Sequence, residues 1–215
     1  MVKKRKFLVV APHIDDEAIG CGGSILKHTN AGWNVSILYV FSGINQERGE
    51  REAEAKKACK FIGTNDYHFI RLEDRTDFEG IGEEVVRYLR EINPNFIYVP
   101  HGDEVDKDHR FVHELIMGVF WKANGNYFPG IPGKSDISGI LQYEVHTPIQ
   151  KPNYYEDISD VVQDKRKLIQ IYKSQVGRVN YADGAVALNL YRGIFSEKGG
   201  HVEAFKLKAF KNLFG

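Results

Sequence analysis

The sequence contains little cysteine, and this excludes one way of stabilising a fold. Cys21 and Cys59 are the only cysteines among 215 residues, and neither has a partner at metal-binding spacing. They do not form the disulfide framework on which small secreted domains depend. A chain of this length can bury a sizeable core without such bridges, and we expect one domain over residues 1–215.

Net charge and long apolar runs are also lacking. Lys plus Arg and Asp plus Glu balance at 29 each, so the overall charge offers no attraction to nucleic acid. No window reaches the roughly 20 apolar residues of a membrane-spanning helix. The basic residues 3–6 are typical of a signal-peptide start, but the apolar run at 7–10 is too short to continue one. We therefore expect a cytoplasmic protein with no membrane span and no nucleic acid partner.

Short apolar runs alternate with amphipathic segments in the first half of the chain. The runs predict buried strands at 7–10, 34–41, 67–72 and 96–100. The segments between and after them predict helices at 18–30, 46–61, 83–92 and 111–123. Such alternation is typical of right-handed crossovers and a parallel sheet covered on both faces. We predict the α/β class, as a Rossmann-like three-layer αβα domain with a mostly parallel sheet.

The pattern is weaker in the second half. Glycine and proline are frequent at 124–139, which predicts a loop and a candidate for the rim of a substrate mouth. Residues 140–145 predict another strand and 157–172 another helix. Residues 185–195 fit neither assignment clearly.

The first predicted strand is followed at once by a cluster of reactive side chains, His13, Asp15, Asp16 and Glu17. In an open parallel sheet, ligands bind at the carboxyl ends of the strands. One imidazole and three carboxylates crowded at such a place repel one another unless they share a positive charge. A divalent metal ion bound between them would supply this positive charge.

A dinucleotide site is the alternative, since Gly20, Gly22 and Gly23 follow the same strand. Such a site needs its glycines directly after the strand, where bare backbone N–H groups face the pyrophosphate. Here the carboxylates occupy that place and would oppose an anion by like charge. The glycines fall inside the predicted helix instead, where we expect them to allow close packing of the helix on the sheet.

A second cluster follows the fourth predicted strand. It lies at another strand carboxyl end, so the predicted topology brings it towards the first cluster. A catalytic zinc ion takes three protein ligands and leaves one position for water. His13 and Asp16 supply two of these ligands, and the third comes from His101, His109 or His113. The residues alone do not decide among the three.

These clusters resemble the motifs of a known family. Residues 12–17 with 20–23, PHIDDE and GCGG, are similar to the PHPDDE and GCGG signature of the PIG-L/LmbE-type N-acetylglucosaminyl deacetylases. Residues 108–113 resemble the second motif of that family, HPDHR or HQDHR followed by VH. Further matches lie, in the order of the family, at 51–54, 157–158, 165–175 and 201–205.

The resemblance implies a zinc-dependent enzyme that hydrolyses the N-acetyl amide of a small N-acetylated sugar. It implies His13, Asp16 and His109 as the ligands of one Zn²⁺ per chain, although another divalent metal would suit the same residues. It also implies that Asp15 is the general base that takes a proton from zinc-bound water.

Other residues receive supporting roles from the same resemblance. Arg51 is implied as a contact of the substrate, although it can instead form an ion pair with a glutamate of its own helix. His113 is implied as a residue that supports the metal site without binding the ion. We expect the same supporting role for Glu17, and for Asp108 either this role or that of a solvated loop charge.

Two residues depart from the family pattern. Ile14 replaces a proline, which should alter only the stiffness of the turn. Asp106 stands where the family has a histidine, and an ionised aspartate cannot donate a hydrogen bond to an oxyanion. Our hypothesis is that His201 supplies this donor and that Asp106 orients it.

The resulting prediction is a hydrolase, a zinc-dependent N-deacetylase acting on an N-acetylglucosamine-type sugar or small glycoconjugate. Two alternatives stay open. One is the hydrolysis of another amide, in a thiol or acyl-amine conjugate. The other is a metal-retaining binding protein in which the change at Asp106 has impaired catalysis. The partner that we expect is a small-molecule substrate, and the sequence leaves a homo-oligomer open.

Overall fold

The computed structural model describes residues 5–43, 45–73, 75–177 and 179–210. Residues 3 and 4 of the basic opening lie outside this part of the chain. The elements, in chain order, are β1 (Lys6–His13), α1 (Asp16–Asn30), β2 (Asn34–Phe41), α2 (Asn45–Ile62), β3 (Tyr67–Phe69), α3 (Phe78–Ile92), β4 (Phe96–Pro100), α4 (Lys107–Asn124), β5 (Gly139–Tyr143), β6 (Tyr154–Asp157), α5 (Val162–Ile169), α6 (Lys173–Val176), α7 (Tyr181–Phe195) and β7 (Val202–Ala209). Within the described ranges, no helix has both the length and the apolar character of a membrane span.

The strands form one sheet in the order β3-β2-β1-β4-β5-β7-β6. The five strands from β3 to β5 are parallel, whereas β7 is antiparallel to both β5 and β6. An apolar core lies on each face of the sheet, one including Ile25 and Leu168 and the other Val85 and Leu115. The predicted α/β class with a mostly parallel sheet is therefore confirmed.

The strand order places the two predicted clusters side by side. The chain moves outward from β1 to β2 and β3, and then returns to pair β4 with the other side of β1. The segments that follow β1 and β4 therefore leave the same edge of the sheet in neighbouring positions. This point of reversal is where open α/β sheets bind their ligands.

Two helices begin earlier than predicted because aspartates cap them. Asp77 accepts the backbone N–H of Gly80, so α3 begins at Phe78 rather than at residue 83. Asp106 accepts the backbone N–H of Asp108 at 2.7 Å and that of His109 at 3.3 Å, so α4 begins at Lys107 rather than at residue 111. The second cap places His109 in the first turn of α4, at the carboxyl edge of the sheet.

The later elements differ more from the prediction. The helix predicted at 157–172 is wrong at its start, because residues 154–157 form β6, which pairs with β7. The helix in this region, α5, covers only Val162–Ile169. The region left open at 185–195 is helical, since it belongs to α7. Strand β3 is shorter than predicted because Arg71 has a φ of 58°, a left-handed conformation that does not continue a strand.

The loop predicted at 124–139 does not border the site edge. Its last residues precede β5, where Ser138 donates its N–H to the carbonyl of Asn95 at 2.7 Å, beside the first residue of β4. The guanidinium of Arg90 donates to the carbonyls of Gly125 and Phe128 in the same loop. The loop therefore lies at the amino edge of the parallel strands, and its predicted place at the substrate mouth is wrong.

Candidate active site

A two-residue turn joins β1 to α1 and carries the first cluster. Asp15 in this turn has a φ of 127°, a conformation that L-residues rarely adopt. Its backbone N–H donates to Oε2 of Glu17 at 3.3 Å, and its carbonyl accepts the N–H groups of Ala18 and Ile19. The turn is thus held from both sides. It directs the side chains of His13, Asp15 and Asp16 to one edge of the sheet.

Three atoms from the two clusters form a compact triangle. Nδ1 of His13 lies 3.4 Å from Oδ2 of Asp16. Nε2 of His109 lies 3.1 Å from the same oxygen and 3.3 Å from Nδ1 of His13. Ligands about 2.0–2.2 Å from a tetrahedral zinc ion stand roughly 3.3–3.6 Å apart. The triangle is close to that size, and these residues form a group that could hold a metal ion.

The donor chemistry of this triangle also fits a metal ion. Two imidazole nitrogens and one carboxylate oxygen point at one another, which is unfavourable for three hydrogen-bond acceptors unless a proton or a cation lies between them. Among the described residues, Nδ1 of His109 is buried and has no hydrogen-bond partner, and Oε2 of Glu104 lies 3.9 Å from it. With Nε2 of His109 on an ion, the proton of that ring would sit on Nδ1, facing this carboxylate.

The charges of the triangle are strongly coupled. Burial lowers the pKa of His13, but hydrogen bonds with Asp108 and Asp16 outweigh it and raise the pKa to about 10. Burial raises the pKa of Asp16, but the charge of His109 and the hydrogen bonds from both histidines hold it well below its usual range. The triangle therefore brings imidazoles and a carboxylate together in a way that favours opposite charges on them.

The two neighbours of Asp16 have different surroundings. Burial and the charges of Asp16 and Glu17 raise the pKa of Asp15 well above its usual value. The side chain of Glu17 points into the core, where Tyr39 donates to it at 3.1 Å and Tyr172 donates to the same oxygen. Burial raises the pKa of Glu17 to about 7. Glu17 therefore connects the turn to the core.

The three candidate histidines of the second cluster occupy different places in the structure. His109 belongs to the triangle. His101 is buried, and its Nε2 lies 2.7 Å from the carbonyl of Thr147. His113 lies one turn further along α4, where its Nδ1 is 2.9 Å from the carbonyl of Pro100. Of the three, only His109 belongs to the group that could hold a metal ion.

Asp108 holds the other nitrogen of His13. Its Oδ2 lies 3.1 Å from Nε2 of His13, and its Oδ1 accepts from Nε of Arg75 at 2.8 Å. The hydrogen bond with His13 lowers the pKa of Asp108 to about 2. His13, Asp106 and Asp108 also have ligand atoms within 4.8 Å of one another. Since Arg75 and backbone N–H groups already engage the two carboxylates, the triangle with His109 is the better metal site.

Arg51 faces the site. It lines a cavity of about 240 Å³ whose wall consists of His13, Asp15, Asp16, Ile19, Arg51, His146, Gln175 and Tyr181. The Gln175 amide, with its oxygen towards Arg51, accepts from Nε at 3.2 Å and Nη2 at 3.0 Å. The nearest oxygen of Glu47, by contrast, lies 3.9 Å away. The side chain is therefore oriented towards the cavity rather than along its own helix.

The structure does not bring His201 to this group. Its backbone pairs with Ser159 and Ile158, just before α5, and the next carbonyl accepts from Asn189 of α7. Asp106 does lie beside the triangle, but its Oδ1 is the cap of α4. The two residues are held by different elements, so we assign no joint proton-donor role to them.

Sequence reasoning gave no role to four residues of the cavity wall, which are Ile19, Gln175, His146 and Tyr181, and the last two lie outside every motif. His146 follows β5, and its ring stacks on that of His109, with centroids 5.0 Å apart and an interplanar angle of 26°. Tyr181 begins α7. The available signal for His146 was its place just after a predicted strand adjacent to the others. No motif marked either residue.

A larger cavity lies elsewhere. It has a volume of about 360 Å³, and Phe7, Trp33 and Phe96 line it together with Tyr98 and Tyr154. Phe7 and Phe96 stand at the starts of β1 and β4, so this cavity is at the amino edge of the sheet. Its volume alone does not make it the active site, because the titratable cluster lies at the carboxyl edge.

A His–Asp–His group with a further carboxylate beside it, at the carboxyl ends of adjacent parallel strands, is typical of metal-dependent hydrolases. Residues 8–120 match the model of the PIG-L family, described as GlcNAc-PI de-N-acetylase, and the chain belongs to this family. Its curated relatives are named deacetylases. The protein is therefore an enzyme of the N-deacetylase class, whose members depend on a metal.

Two relatives illustrate the range of this family. The diacetylchitobiose deacetylase of Thermococcus kodakarensis is 29% identical over 194 residues, which covers 80% of this chain and 70% of the relative. The "Probable N-acetyl-alpha-D-glucosaminyl L-malate deacetylase 2" of Bacillus cereus is 30% identical over 194 residues and covers 80% of this chain and 84% of the relative.

Solved structures show the same fold. The N,N'-diacetylchitobiose deacetylase of Pyrococcus horikoshii, bound to an inhibitor, superposes with a TM-score of 0.82 at 20% identity, over 98% of this chain and 88% of that one. The 4-carboxy-2-hydroxymuconate hydratase of Pseudomonas putida superposes with a TM-score of 0.81 at 21% identity, over 97% and 99%. Since a hydratase shares the fold, the fold alone does not determine the reaction.

Proposed function

We propose that the protein is a zinc-dependent N-deacetylase that releases acetate from an N-acetylglucosamine-type sugar or a small glycoconjugate. The observation that carries this proposal is the His13–Asp16–His109 triangle with Asp15 in the same cavity. The names of the relatives support the substrate class, since they act on diacetylchitobiose or on N-acetylglucosaminyl conjugates.

The ligand set favours zinc among divalent metals. Two imidazoles and one carboxylate leave one position of a tetrahedron open, as catalytic zinc sites do. A zinc ion in this place supplies Lewis acidity, which lowers the pKa of water to about 7 and polarises an amide carbonyl. Asp108, fixed by Arg75, holds the ring of His13 in the orientation that presents Nδ1 to the cavity.

The remaining residues of the cavity supply proton transfer and binding. Asp15 is the base: its carboxylate takes a proton from the attacking water and returns it to the nitrogen of the leaving amine. The backbone of Asp15 is fixed by Glu17, so its carboxylate stays beside that of Asp16. Arg51, braced by Gln175, is positioned to bind polar groups of the sugar.

The experiment is an acetate-release assay on the zinc-loaded protein, with N-acetylglucosamine, diacetylchitobiose and N-acetylated thiol conjugates as substrates. We expect release from at least one N-acetylated sugar. Bound zinc without release from any substrate would favour the metal-retaining binding protein. Release only from the thiol conjugates would favour the other amide hydrolase.

The variant that tests the base is Asp15→Asn. It should keep the zinc content of the wild type and lose about 10²–10⁴-fold in kcat, because the amide cannot accept the proton. Asp103→Asn is the matched control, since that carboxylate is on an exposed loop with 84% of its side chain accessible. Unchanged kcat in Asp15→Asn would contradict the assignment of the base.

A further inference from the structure

The loop that follows β5 carries a histidine into the active site. His146 lines the cavity together with Asp15 and Asp16, and its ring stacks on the ring of His109. Because His109 contributes Nε2 to the triangle, the ring stacked on it lies beside the triangle.

A buried carboxylate fixes this loop. Oε1 of Glu104 accepts the backbone N–H of Val145 at 2.8 Å and that of His146 at 3.1 Å, and Oε2 accepts that of Thr147 at 3.1 Å. Only 1% of Glu104 is exposed. Glu104 belongs to the segment between β4 and α4, so the segment that leads into the helix carrying His109 also holds the backbone of His146.

The reaction needs a hydrogen-bond donor in this cavity. Negative charge develops on the carbonyl oxygen when water attacks an amide, and a donor in a preorganised position stabilises it. Carboxylates only accept when ionised, and Asp106 already accepts two backbone N–H groups. Arg51 donates to Gln175, and its remaining donors are proposed to bind the sugar. Among the other described side chains of the cavity wall that can donate, which are His146, Gln175 and Tyr181, only His146 has a described ring contact with the triangle, at His109.

We propose that His146 is a catalytic residue of this enzyme, whose imidazole N–H donates to the carbonyl oxygen of the acetyl group as its charge develops, and that Glu104 positions it. This inference rests on the proposed deacetylase function. It assigns to the loop after β5 the donor that the aspartate at position 106 cannot supply.

Two variants separate donation from packing. His146→Phe keeps a ring on His109 but removes the donor, whereas His146→Gln keeps an N–H group without the ring. We expect His146→Phe to retain zinc and KM and to lose about 10²–10³-fold in kcat, and His146→Gln to recover part of the loss. His68→Phe is the matched control, since that histidine also stacks on a ring, Tyr88, with centroids 5.2 Å apart, but lies outside the cavity.

A binding measurement gives a readout that is independent of turnover. A methylphosphonamide of glucosamine presents a tetrahedral anionic group, and titration calorimetry measures its affinity for the zinc-loaded protein. We expect His146→Phe to bind it at least about tenfold more weakly, with unchanged affinity for glucosamine. The variant Glu104→Gln should weaken binding of the phosphonamide, and adding it to His146→Phe should weaken that binding little further. Its zinc content is measured beside it, because the same carboxylate faces Nδ1 of His109.

The outcomes distinguish the two proposals. A wild-type protein that releases no acetate from any amide would sink the proposed function and this inference with it. An active wild type with unchanged kcat in His146→Phe would overturn the inference alone. Loss of zinc in His146→Phe would also overturn it, because the imidazole would then support metal binding rather than donate to the substrate.

Discussion

At the scale of single residues, three adjacent carboxylates acquire three roles from their surroundings. Asp16 faces two imidazoles, which hold its pKa low. Among the described residues, no side chain lies at hydrogen-bond distance from the carboxylate of Asp15, and burial raises its pKa. Glu17 turns into the core to meet the hydroxyls of Tyr39 and Tyr172. A ligand, a base and a support of the turn can thus follow one another in the chain, because a helix start directs successive side chains differently.

The raised pKa of His13 leads to a prediction about metal binding. An ion on Nδ1 must displace a proton from a ring whose pKa is about 10. Below that pH, binding releases at least one proton, so the association constant for Zn²⁺ should rise at least about tenfold per pH unit between pH 6 and pH 8. Competition with a chromophoric chelator at three pH values, corrected for the protonation of the chelator, measures this slope.

Asp108→Asn tests the cause of that slope. The variant replaces the charged acceptor of His13 Nε2 by a neutral amide oxygen, which weakens an interaction that raises the pKa of His13, so the pH dependence should become shallower near pH 8. Asp103→Asn, in an exposed carboxylate, should leave the slope unchanged. A wild-type affinity that does not vary with pH would show that the triangle binds no proton in the absence of the ion.

The sequence predicted the chemistry of this site better than it predicted which residues form it. His13 and Asp16 follow a strand directly, so their place at the carboxyl edge follows from the pattern alone. The choice of His109 over His113 depended on where α4 begins, and this is decided by the cap at Asp106. His146 directly follows a predicted strand, but its place in the cavity also depends on backbone N–H groups that bind Glu104, and such contacts leave no local pattern.

At the scale of elements, α1 is the helix on which the site depends, and glycines allow it to lie close to its neighbours. A Cβ at Gly20 would stand 2.3 Å from a ring carbon of Tyr143, and one at Gly23 would stand 2.7 Å from Cγ2 of Ile158. The predicted close packing of the helix on the sheet is confirmed at Gly20, since Tyr143 belongs to β5, whereas Gly22 and Gly23 pack against α5 and Ile158 instead. The buried ion pair of Lys165 and Glu203 adds a polar connection, since Glu203 also accepts the backbone N–H of Gly23 at 2.8 Å.

Two glycine-to-alanine variants should therefore change the free energy of unfolding in opposite directions. Gly23→Ala should lower the free energy of unfolding by about 1–3 kcal/mol, because the added methyl group overpacks against Ile158. Gly184→Ala, in α7, meets no heavy atom within 4 Å and should raise it by about 0.5–1 kcal/mol through the lower entropy of the unfolded chain. Urea unfolding of the two variants beside the wild type measures both changes. Equal effects would mean that packing does not require the glycine in α1.

The elements predicted well are those whose pattern is local. The central strands are short apolar runs, and their bounds were nearly correct because they are buried on both faces. The strands β6 and β7 were missed, since β6 has four residues and β7 ends in alternating polar residues, so that their assignment depends on pairing with each other. This antiparallel addition is a property of tertiary structure and not of the local sequence.

At the scale of the whole molecule, the two edges of the sheet differ in chemistry. The carboxyl edge carries the titratable cluster, and the amino edge carries stacked aromatic rings. His28 belongs to the second group. It stacks on Phe7 with centroids 4.1 Å apart, and its Nε2 lies 2.8 Å from the hydroxyl of Tyr98. Burial lowers the pKa of His28 to about 4, so this histidine is neutral in the folded protein at neutral pH.

The low pKa of His28 predicts how the stability of the fold depends on pH. The unfolded chain binds the proton with a pKa of about 6.5 and the folded protein with one of about 4. Stability from this residue is thus fully present above pH 6.5 and is lost as the pH falls towards 4, by about 3 kcal/mol in total. Urea unfolding of the wild type and of His28→Gln at several pH values should give curves that converge by this amount as the pH is lowered. His68→Gln, at a half-exposed histidine, should run parallel to the wild type, and parallel curves for His28→Gln would show that burial of this ring does not govern the acid sensitivity of the fold.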